Sequence, residues 1–328
     1  MLVLGIDTSC DDTSVAVYRA DTGRVLSNVV SSQYEFHAPF GGVVPEVAAR
    51  RHAEQIDAVF NAALKEAGVE PEELNLVATT NRPGLLPALL VGLTFGKGLS
   101  FRLGIPFKAV HHIEAHLLSP FIGREPPFPF IGLVVSGGHT VIVVAEKLGK
   151  YKVVGKTLDD AVGEAYDKVA KLLSLGYPGG PAIDRLYRSY RGELLKLPKP
   201  KVKGLDFSFS GIKTATRRLF EQGAPAVQVA ASFQETAVDY LVEKLKKAVK
   251  EVGVKRVAVA GGVSANSLLR ERLLALKEEE GIELHLAPLE FTSDNGAMVA
   301  YTGYLRFLLE GADPLTVGAQ ARSPIDEG

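Results

Sequence analysis

Four of the seven histidines lie close together in the chain, at His111, His112, His116 and His139. His112 and His116 are four residues apart, so on a helix they share one face, which is a common way to bind a transition metal. The segment follows a short predicted strand, Phe107–Val110, so we expect this helix to begin at a sheet edge and to face a cleft. The alternative interpretation is a pair of surface histidines.

Two histidines leave a metal site short of a ligand, and Asp294 is the candidate for the third. It lies in the polar segment 292–296, directly before the last predicted helix, where its alternative role is an N-terminal cap. Two imidazoles and one carboxylate suit Fe(II) or Zn(II). A zinc-protease mechanism is excluded, because Glu114 is two residues from His112 and therefore ~200° around the helix.

Three polar turns can hold a nucleotide. They are the segments 7–13, 136–140 and 261–266, and each follows a predicted strand. Small residues and backbone N–H groups in such turns allow close approach to a phosphate. Each turn alone is also compatible with an ordinary connection, and the sequence contains no GxGxxG or P-loop pattern. Together the three turns favour a nucleotide in a cleft between two halves of the protein.

The first two of these turns belong to an internal repeat. A shift of 127 residues places segment 4–17 on segment 131–144, so that Gly5 coincides with Gly132. Strands alternate with helices along the chain, which indicates an α/β protein. The repeat predicts a duplicated domain, although any two β-hairpins share some of this pattern.

Composition bounds the function further. The chain has 328 residues, 46% of them hydrophobic and 23% charged, which predicts about two globular domains and excludes a disordered chain. A net charge of −1 excludes a strongly basic coat for nucleic acid.

Cys10 is the one cysteine, which fits a reducing compartment. The N-terminus lacks a signal-peptide pattern, and the apolar run 85–96 is shorter than the ~20 residues of a spanning helix. We therefore expect a cytoplasmic protein without a membrane segment.

Six segments of the chain, in this order, resemble the motifs of a known family. They are 5–13, 41–46, 111–116, 135–139, 261–266 and 293–296. Together they resemble the bacterial branch of the TsaD family, the tRNA N6-adenosine threonylcarbamoyltransferases, over about residues 2–320. The resemblance implies an α/β protein with the duplicated actin-like, sugar-kinase and Hsp70-like ATPase fold, in which two βββαβα-type halves surround a cleft. We expect one half over 1–127, with the metal helix near 111–116, and the other over 128–328. The second half would contain a helical insertion at about 158–225, and the last helix would pack back on the first half.

Site residues follow from the same resemblance. His112, His116 and Asp294 would hold one metal ion per chain, usually iron, with Zn(II) or Mg(II) as alternatives. The residues expected to bind the substrate or nucleotide are Val135, Ser136, Gly137, Gly138, His139, Asp167, Gly180, Asp184 and Asn266. The chain departs from the pattern at Val134, where the archaeal branch has a tyrosine. Asp7 and Asp12 stand where many relatives have glutamates.

The reaction implied is transfer of the threonylcarbamoyl group of threonylcarbamoyl-adenylate to N6 of the adenosine next to the anticodon, in tRNAs that read codons starting with A. AMP is the other product. A metal with open positions can act as a Lewis acid on this acyl donor. Asp11 is our candidate to accept the amine proton or to orient the acyl group. Competing hypotheses are a small-molecule kinase or a nucleotide-binding scaffold of the same fold, and the older protease label of the family.

The tRNA substrate that the resemblance implies would bind to a protein with a net charge of only −1. We expect Lys199, Lys201 and Lys203 to contact the tRNA backbone, because the proline-broken segment 196–203 is predicted to be an extended loop. Affinity from so few charges would be modest and salt-sensitive. Help from the TsaB-like and TsaE-like partner proteins that the resemblance implies is therefore expected.

Overall fold

The computed structural model describes residues 1–327, which fold into two compact units. Unit 1 consists of Met1–Pro126, Lys147–Lys150 and the chain from Glu290 onward. Unit 2 consists of Pro127–Glu146 and Tyr151–Leu289. The C-terminal segment therefore belongs to the unit in which the chain begins.

Ten strands and ten helices are assigned in the described residues. The strands are β1 (Leu2–Asp7), β2 (Asp12–Arg19), β3 (Arg24–Ser32), β4 (Leu76–Arg82), β5 (Phe107–His111), β6 (Phe130–Val135), β7 (Thr140–Lys147), β8 (Lys150–Lys156), β9 (Arg256–Ala260) and β10 (Glu283–Leu286). The helices are α1 (Tyr34–His37), α2 (Pro45–Ala67), α3 (Leu86–Leu103), α4 (His112–Leu118), α5 (Val162–Leu172), α6 (Gly179–Ser189), α7 (Ser210–Glu221), α8 (Ala226–Val252), α9 (Ser267–Glu280) and α10 (Gly296–Glu310).

Each unit contains one five-stranded sheet, and the two sheets have the same topology. The order in unit 1 is β3-β2-β1-β4-β5, with β1 antiparallel to β2 and parallel to β4. The order in unit 2 is β8-β7-β6-β9-β10, with β6 antiparallel to β7 and parallel to β9. In both sheets the first strand of the unit lies in the centre. The connections that cross over between parallel strands begin beside its C-terminal end.

Hairpin register confirms the internal repeat. Gly5 pairs with Ala16 between β1 and β2, and Gly132 pairs with Val143 between β6 and β7. Each residue of the second pair stands 127 positions after its counterpart in the first. Identical register together with identical strand order indicates a duplicated domain rather than two unrelated hairpins.

Most predicted elements lie within a few residues of the observed ones. Helix α5 begins at Val162, after a turn that contains Asp160. The carbonyl oxygen of Asp160 accepts a hydrogen bond from the Thr157 hydroxyl, and its carboxylate pairs with Lys168, so this residue closes the preceding turn. The four-residue helix α1 had no sequence signal that we recognised.

Helix α10 packs directly against the central strand of unit 1. A Cβ added at Gly5 would lie 2.1 Å from the carbonyl oxygen of Gly296 and 2.4 Å from the backbone nitrogen of Ala300. A Cβ added at Gly296 would lie 2.5 Å from the backbone nitrogen of Ala16. Helix and sheet backbones therefore touch at this point, and the start of α10 is fixed relative to β1.

Helix α3 is the one described helix that is long and apolar enough to cross a membrane by length and composition. Buried core helices of other proteins meet the same criterion, and one face of α3 packs on the sheet: Gly92 lies against Thr8, and Gly96 lies against Thr79. A third of the helix is buried. The expected absence of a membrane segment stays a prediction.

We predict that Gly5→Ala destabilises the protein by about 1–3 kcal/mol, because the new methyl group would overlap the α10 backbone. Gly98→Ala is the matched control, since Gly98 lies on the exposed side of α3 and its Cβ would meet no atom within 4 Å. That change should stabilise the helix by about 0.5–1 kcal/mol. Denaturant unfolding of the two variants measures both effects, and equal stability would contradict the close approach.

Candidate functional site

The predicted metal ligands lie together in unit 1. His112 and His116 are one turn apart on α4, which begins directly after β5, and Asp294 lies in the loop before α10. The Nε2 atom of His116 is 2.9 Å from Oδ1 of Asp294, and that of His112 is 3.6 Å from the same oxygen. One ligand atom from each residue lies within 4.8 Å of the others, and both histidines are buried.

His111 starts the helix that carries these ligands. Its Nδ1 accepts hydrogen bonds from the backbone N–H groups of Ile113 and Glu114, which makes it the N-cap of α4. Its Nε2 then carries the proton and donates to the carbonyl oxygen of Ser323 at 3.0 Å. Burial lowers the pKa of His111 to about 4, so the ring stays neutral as the cap requires.

The first polar turn orients His112. Nδ1 of His112 lies 3.1 Å from the Ser9 hydroxyl and 3.3 Å from Oδ2 of Asp7, at the end of β1. The other oxygen of Asp7 accepts the Ser9 backbone N–H at 2.9 Å. With Nδ1 engaged on this side, Nε2 of His112 faces Asp294. Metal-binding histidines typically have a carboxylate at the ring nitrogen that does not bind the metal, because the carboxylate fixes the ring and raises its basicity.

Charge in this cluster favours a cation. Burial lowers the pKa of His112, but the Asp294 and Asp7 carboxylates outweigh it and raise the pKa to about 9. Burial, together with the negative charge of Asp11 and Asp294, raises the pKa of Asp12 to about 7. Oδ2 of Asp7 is buried and, apart from its ion pair with His112, has no hydrogen-bond partner. Two imidazole nitrogens, one carboxylate oxygen and excess buried negative charge fit a divalent transition metal.

Glu114 points away from this cluster, as its position on the helix predicts. Its Oε1 lies 3.5 Å from Nη1 of Arg306 on α10. The carboxylate is therefore held on the other side of α4 from His112. A metalloprotease arrangement, in which this glutamate would act on a water at the metal, is excluded by that contact.

His52 fixes the first polar turn through two hydrogen-bond contacts, and sequence reasoning did not predict this role. Its Nδ1 lies 2.7 Å from the Thr13 hydroxyl, and its Nε2 lies 3.0 Å from the carbonyl oxygen of Cys10. The available signal was a histidine on the buried face of amphipathic α2, one turn before Ile56. Asp11 lies between the two held residues, half-buried, and burial raises its pKa above the ordinary value.

The second polar turn, in unit 2, closes on itself and leaves two glycines open. The Ser136 backbone N–H donates to the His139 carbonyl oxygen at 2.8 Å, and the His139 N–H donates to the Ser136 hydroxyl at 3.2 Å. Val135 is buried at the end of β6. Gly137 and Gly138 are exposed, and a Cβ at either would meet no atom within 4 Å. A ligand can therefore approach their backbone N–H groups.

Asp184 and Asn266 are brought together by a residue that the sequence analysis missed. The side-chain amide of Gln234 donates to Oδ1 of Asp184, and its oxygen accepts from the Asn266 amide, both at 2.9 Å. Asn266 also caps α9 by accepting the Leu269 N–H. The Ser267 hydroxyl donates to Asp184 at 2.8 Å. The one sequence signal for Gln234 was a polar residue at helical spacing from the apolar Ala230, Ala237 and Leu241.

Asp167 contacts the first residue of α6, next to Gly180. Oδ1 of Asp167 accepts the backbone N–H of Gly179 at 2.7 Å. A Cβ at Gly180 would meet no atom within 4 Å, so this position also borders open space. Gly137, Gly138 and Gly180, which are predicted to bind nucleotide, therefore each border open space.

The three lysines predicted to contact RNA differ in their surroundings. Lys199 pairs with Glu243 and lies 3.8 Å from Asp239, both on α8. Lys201 and Lys203 are exposed. The segment between α6 and α7 that carries them is non-helical, as the prolines predict. Part of the positive charge of Lys199 is already neutralised, which leaves the other two better suited to bind phosphate.

Comparisons with known proteins agree on a family. The family model described as TsaD, tRNA N6-adenosine threonylcarbamoyltransferase, matches residues 24–301. A protein of that name from Persephonella marina is 50% identical over 318 residues, which cover 95% of this chain and 92% of the relative. One from a strain of Thermus thermophilus is 47% identical over 100% of both chains.

Solved structures agree on the fold. Full-length HypF has a TM-score of 0.63 at 15% identity and covers 95% of this chain and 47% of its own. Component A of the (R)-2-hydroxyglutaryl-CoA dehydratase of Acidaminococcus fermentans has a TM-score of 0.57 at 15% identity, covering 93% of this chain and 98% of its own. A glucokinase from Streptomyces griseus has a TM-score of 0.51 at 15% identity and covers 93% and 99%. The expected actin-like, sugar-kinase type of α/β fold is thereby confirmed.

We predict that His112→Ala and His116→Ala each lose bound metal while remaining folded, because each change removes one of three ligands. Metal per chain, measured by elemental analysis after anaerobic reconstitution with Fe(II), should fall well below that of the parent protein. Asp7→Asn should weaken metal affinity by about 10- to 100-fold.

His285→Ala is the matched control for the metal measurement. His285 pairs with Glu283 in unit 2 and has no part in the cluster, so this variant should keep the parental metal content. If both ligand variants keep a full equivalent of metal, the assignment of the cluster is wrong.

Proposed function

Because the chain belongs to the TsaD family, and is therefore a tRNA N6-adenosine threonylcarbamoyltransferase, we propose that its acyl donor is threonylcarbamoyl-adenylate. In the reaction the donor's carbonyl carbon forms a bond to N6 of the adenosine, and its bond to the phosphate oxygen breaks. AMP leaves with that oxygen, and one proton leaves N6. The observation that carries the proposal is the cluster of His112, His116 and Asp294 behind the first polar turn.

The metal in this proposal is Fe(II), one per chain, held by His112, His116 and Asp294. Zn(II) fits the same donors, whereas Mg(II) is less suited because it prefers oxygen ligands and keeps several waters. When bound, such a metal supplies a Lewis acid that polarises a carbonyl or phosphate oxygen.

Residues of the chain itself would orient the His112 ring and accept the proton of the attacking amine. Asp7 and Ser9 hold the His112 ring in the orientation that faces Asp294. Asp11 accepts the proton of the attacking amine or orients the acyl group, and its raised pKa makes it a better base than a fully exposed aspartate. His52 supports this role because it fixes Thr13 and Cys10 on either side of Asp11.

The nucleotide part of the donor is assigned to unit 2. The open N–H groups of the turn 136–139 would bind phosphate or carbonyl oxygens, as backbone donors do for developing negative charge. Asp167 and Asp184 would accept hydrogen bonds from ribose hydroxyls. Asn266, held by Gln234, would reach the adenine, and the open position at Gly180 would leave room for the ligand.

Transfer to tRNA with partner proteins completes the proposal. Lys201 and Lys203, with a smaller contribution from Lys199, are the proposed contacts to the RNA backbone. TsaB-like and TsaE-like proteins would share the RNA, because this chain carries a net charge of only −1. The place of action would be the cytoplasm.

The kinase alternative has no support among the relatives. The relatives from Persephonella marina and Thermus thermophilus are named threonylcarbamoyltransferases and are about half identical to this chain, whereas the glucokinase shares the fold at 15% identity. Fold alone does not carry an activity. A scaffold without catalysis would leave unexplained the orientation of His112 by Asp7 and Ser9.

We predict that Gly180→Leu abolishes binding of adenine nucleotide without unfolding the protein, because the side chain would fill the open space at the start of α6. Gly211→Leu is the control, since Gly211 is likewise the second residue of a helix, α7, and borders open space. Isothermal titration with AMP or a donor analogue measures the effect. Equal affinity in the two variants would contradict the nucleotide assignment.

Transfer itself is tested with radiolabelled threonylcarbamoyl-adenylate and unmodified tRNA, with and without the partner proteins. We expect labelled tRNA and AMP in equal amounts. Asp11→Asn should lower kcat by at least about 100-fold with little change in KM, as for loss of a general base. Asp21→Asn, which changes an exposed aspartate paired with the N-terminus, should leave kcat unchanged. Release of AMP without labelled tRNA would contradict the proposed acceptor.

A further inference from the structure

A cavity in unit 2 lies where α6 ends and α9 begins. Its volume is about 370 Å³, within the range of small-ligand sites. None of the residues that line it is among those assigned to the metal or the nucleotide. The lining includes Tyr187, Arg188, Tyr190, Arg191, Gly192 and Glu271.

Both tyrosine rings of this cavity are held in place. The Tyr187 hydroxyl donates to Glu235, which is itself paired with Arg272. The Tyr190 hydroxyl donates to the carbonyl oxygen of Glu193 at 2.9 Å. A Cβ at Gly192 would lie 2.3 Å from that hydroxyl, so glycine lets the chain pass close to the ring. Little conformational entropy is lost when a planar ligand stacks on a ring already fixed in this way.

Two arginines at the cavity, Arg188 and Arg191, form no ion pair within residues 1–327. Both are exposed. The Arg191 guanidinium donates to the backbone carbonyl oxygens of Arg188 and Tyr190, which orients it without neutralising it. The neighbouring acids Glu235 and Asp239 on α8 are already paired with Arg272. Two guanidinium groups therefore remain for an anionic ligand.

We propose that this cavity binds one nucleotide of the substrate tRNA, whose base stacks on Tyr190 and whose phosphate pairs with Arg188 and Arg191. The inference rests on the proposed transfer to tRNA. Proteins recognise single-stranded RNA by stacking bases on aromatic side chains and guanidinium planes, with cationic groups along the backbone. Glu271, the one carboxylate of the lining, accepts from an exocyclic amino group of the base.

The segment that follows the cavity in the chain runs along α8. The backbone N–H of Leu195 donates to the Ser232 hydroxyl, and Lys244, twelve residues further along the helix, donates to the carbonyl oxygen of Gly204. These two contacts are about 18 Å apart along the helix axis. The exposed Lys201 and Lys203 lie at the far end of this segment. A strand of RNA that leaves the cavity can follow them.

The test is the salt dependence of binding of the full chain to unmodified tRNA, measured by fluorescence anisotropy. The double variant R188Q/R191Q should flatten the slope of log K against log salt by about 0.7 per lost contact. Tyr190→Ala should weaken binding by about 5- to 150-fold, the usual effect of losing one stacked base, and Tyr190→Phe should restore it.

Arg185→Gln is the matched control, because Arg185 is an exposed arginine of the same helix that does not line the cavity. It should leave the salt slope unchanged. Affinity for AMP and the unfolding midpoint should be the same in all variants. Wild-type transfer to tRNA is measured in parallel, so that failure of the proposed function is seen separately.

An unchanged slope in R188Q/R191Q, with transfer intact in the wild type, would overturn the inference. Loss of AMP affinity in that variant would also overturn it, because the cavity would then belong to the donor site. If tRNA binding is unaffected and binding of a partner protein is lost instead, the cavity is a protein-docking site and the assignment to RNA is wrong.

Discussion

Contact between Asp7 and His112 joins the end of the central strand to the start of the metal helix, and the candidate site depends on it. Asp7 is the last residue of strand β1. Its carboxylate and the Ser9 hydroxyl both contact Nδ1 of His112. The same strand sets the third ligand, because Gly5 lets the backbone of α10 approach closely, and Asp294 lies two residues before that helix. One strand therefore positions ligands from two segments that are far apart in the chain.

Electrostatics explains why such an arrangement favours a bound cation. The first turn and the loop before α10 place four aspartates, Asp7, Asp11, Asp12 and Asp294, in a largely buried region. Burying carboxylates without a countercharge is costly, and the raised pKa values of Asp11 and Asp12 report that cost. The raised pKa of His112 reports the negative charge of Asp294 and Asp7 beside it. A divalent metal relieves it by adding positive charge where the imidazoles converge. The cluster is thus a ligand site by charge as well as by donor type.

Sequence reasoning predicted the parts of this site that depend on local spacing. The four-residue step between His112 and His116 fixes a shared helix face, and the 127-residue repeat fixes the two sheets. It did not predict the orienting contacts, because these join residues that are distant in the chain: Ser9 to His112, His52 to Thr13, and Gln234 to both Asp184 and Asn266. Periodicity tells which face of a helix is buried, but not which partner a buried polar group finds. The ion pairs of Lys199 were missed for the same reason.

The central claim is that His112 and His116 both contribute nitrogen ligands to one metal, with His112 turned toward it by Asp7 and Ser9. X-ray absorption at the iron edge of the Fe(II)-reconstituted full chain tests it directly, because imidazole rings give characteristic outer-shell scattering. The account predicts two imidazoles and only nitrogen and oxygen neighbours in the parent protein, and one imidazole in residual iron bound to His112→Ala. Sulfur scattering from Cys10, or an imidazole count that does not change in His112→Ala, would contradict it.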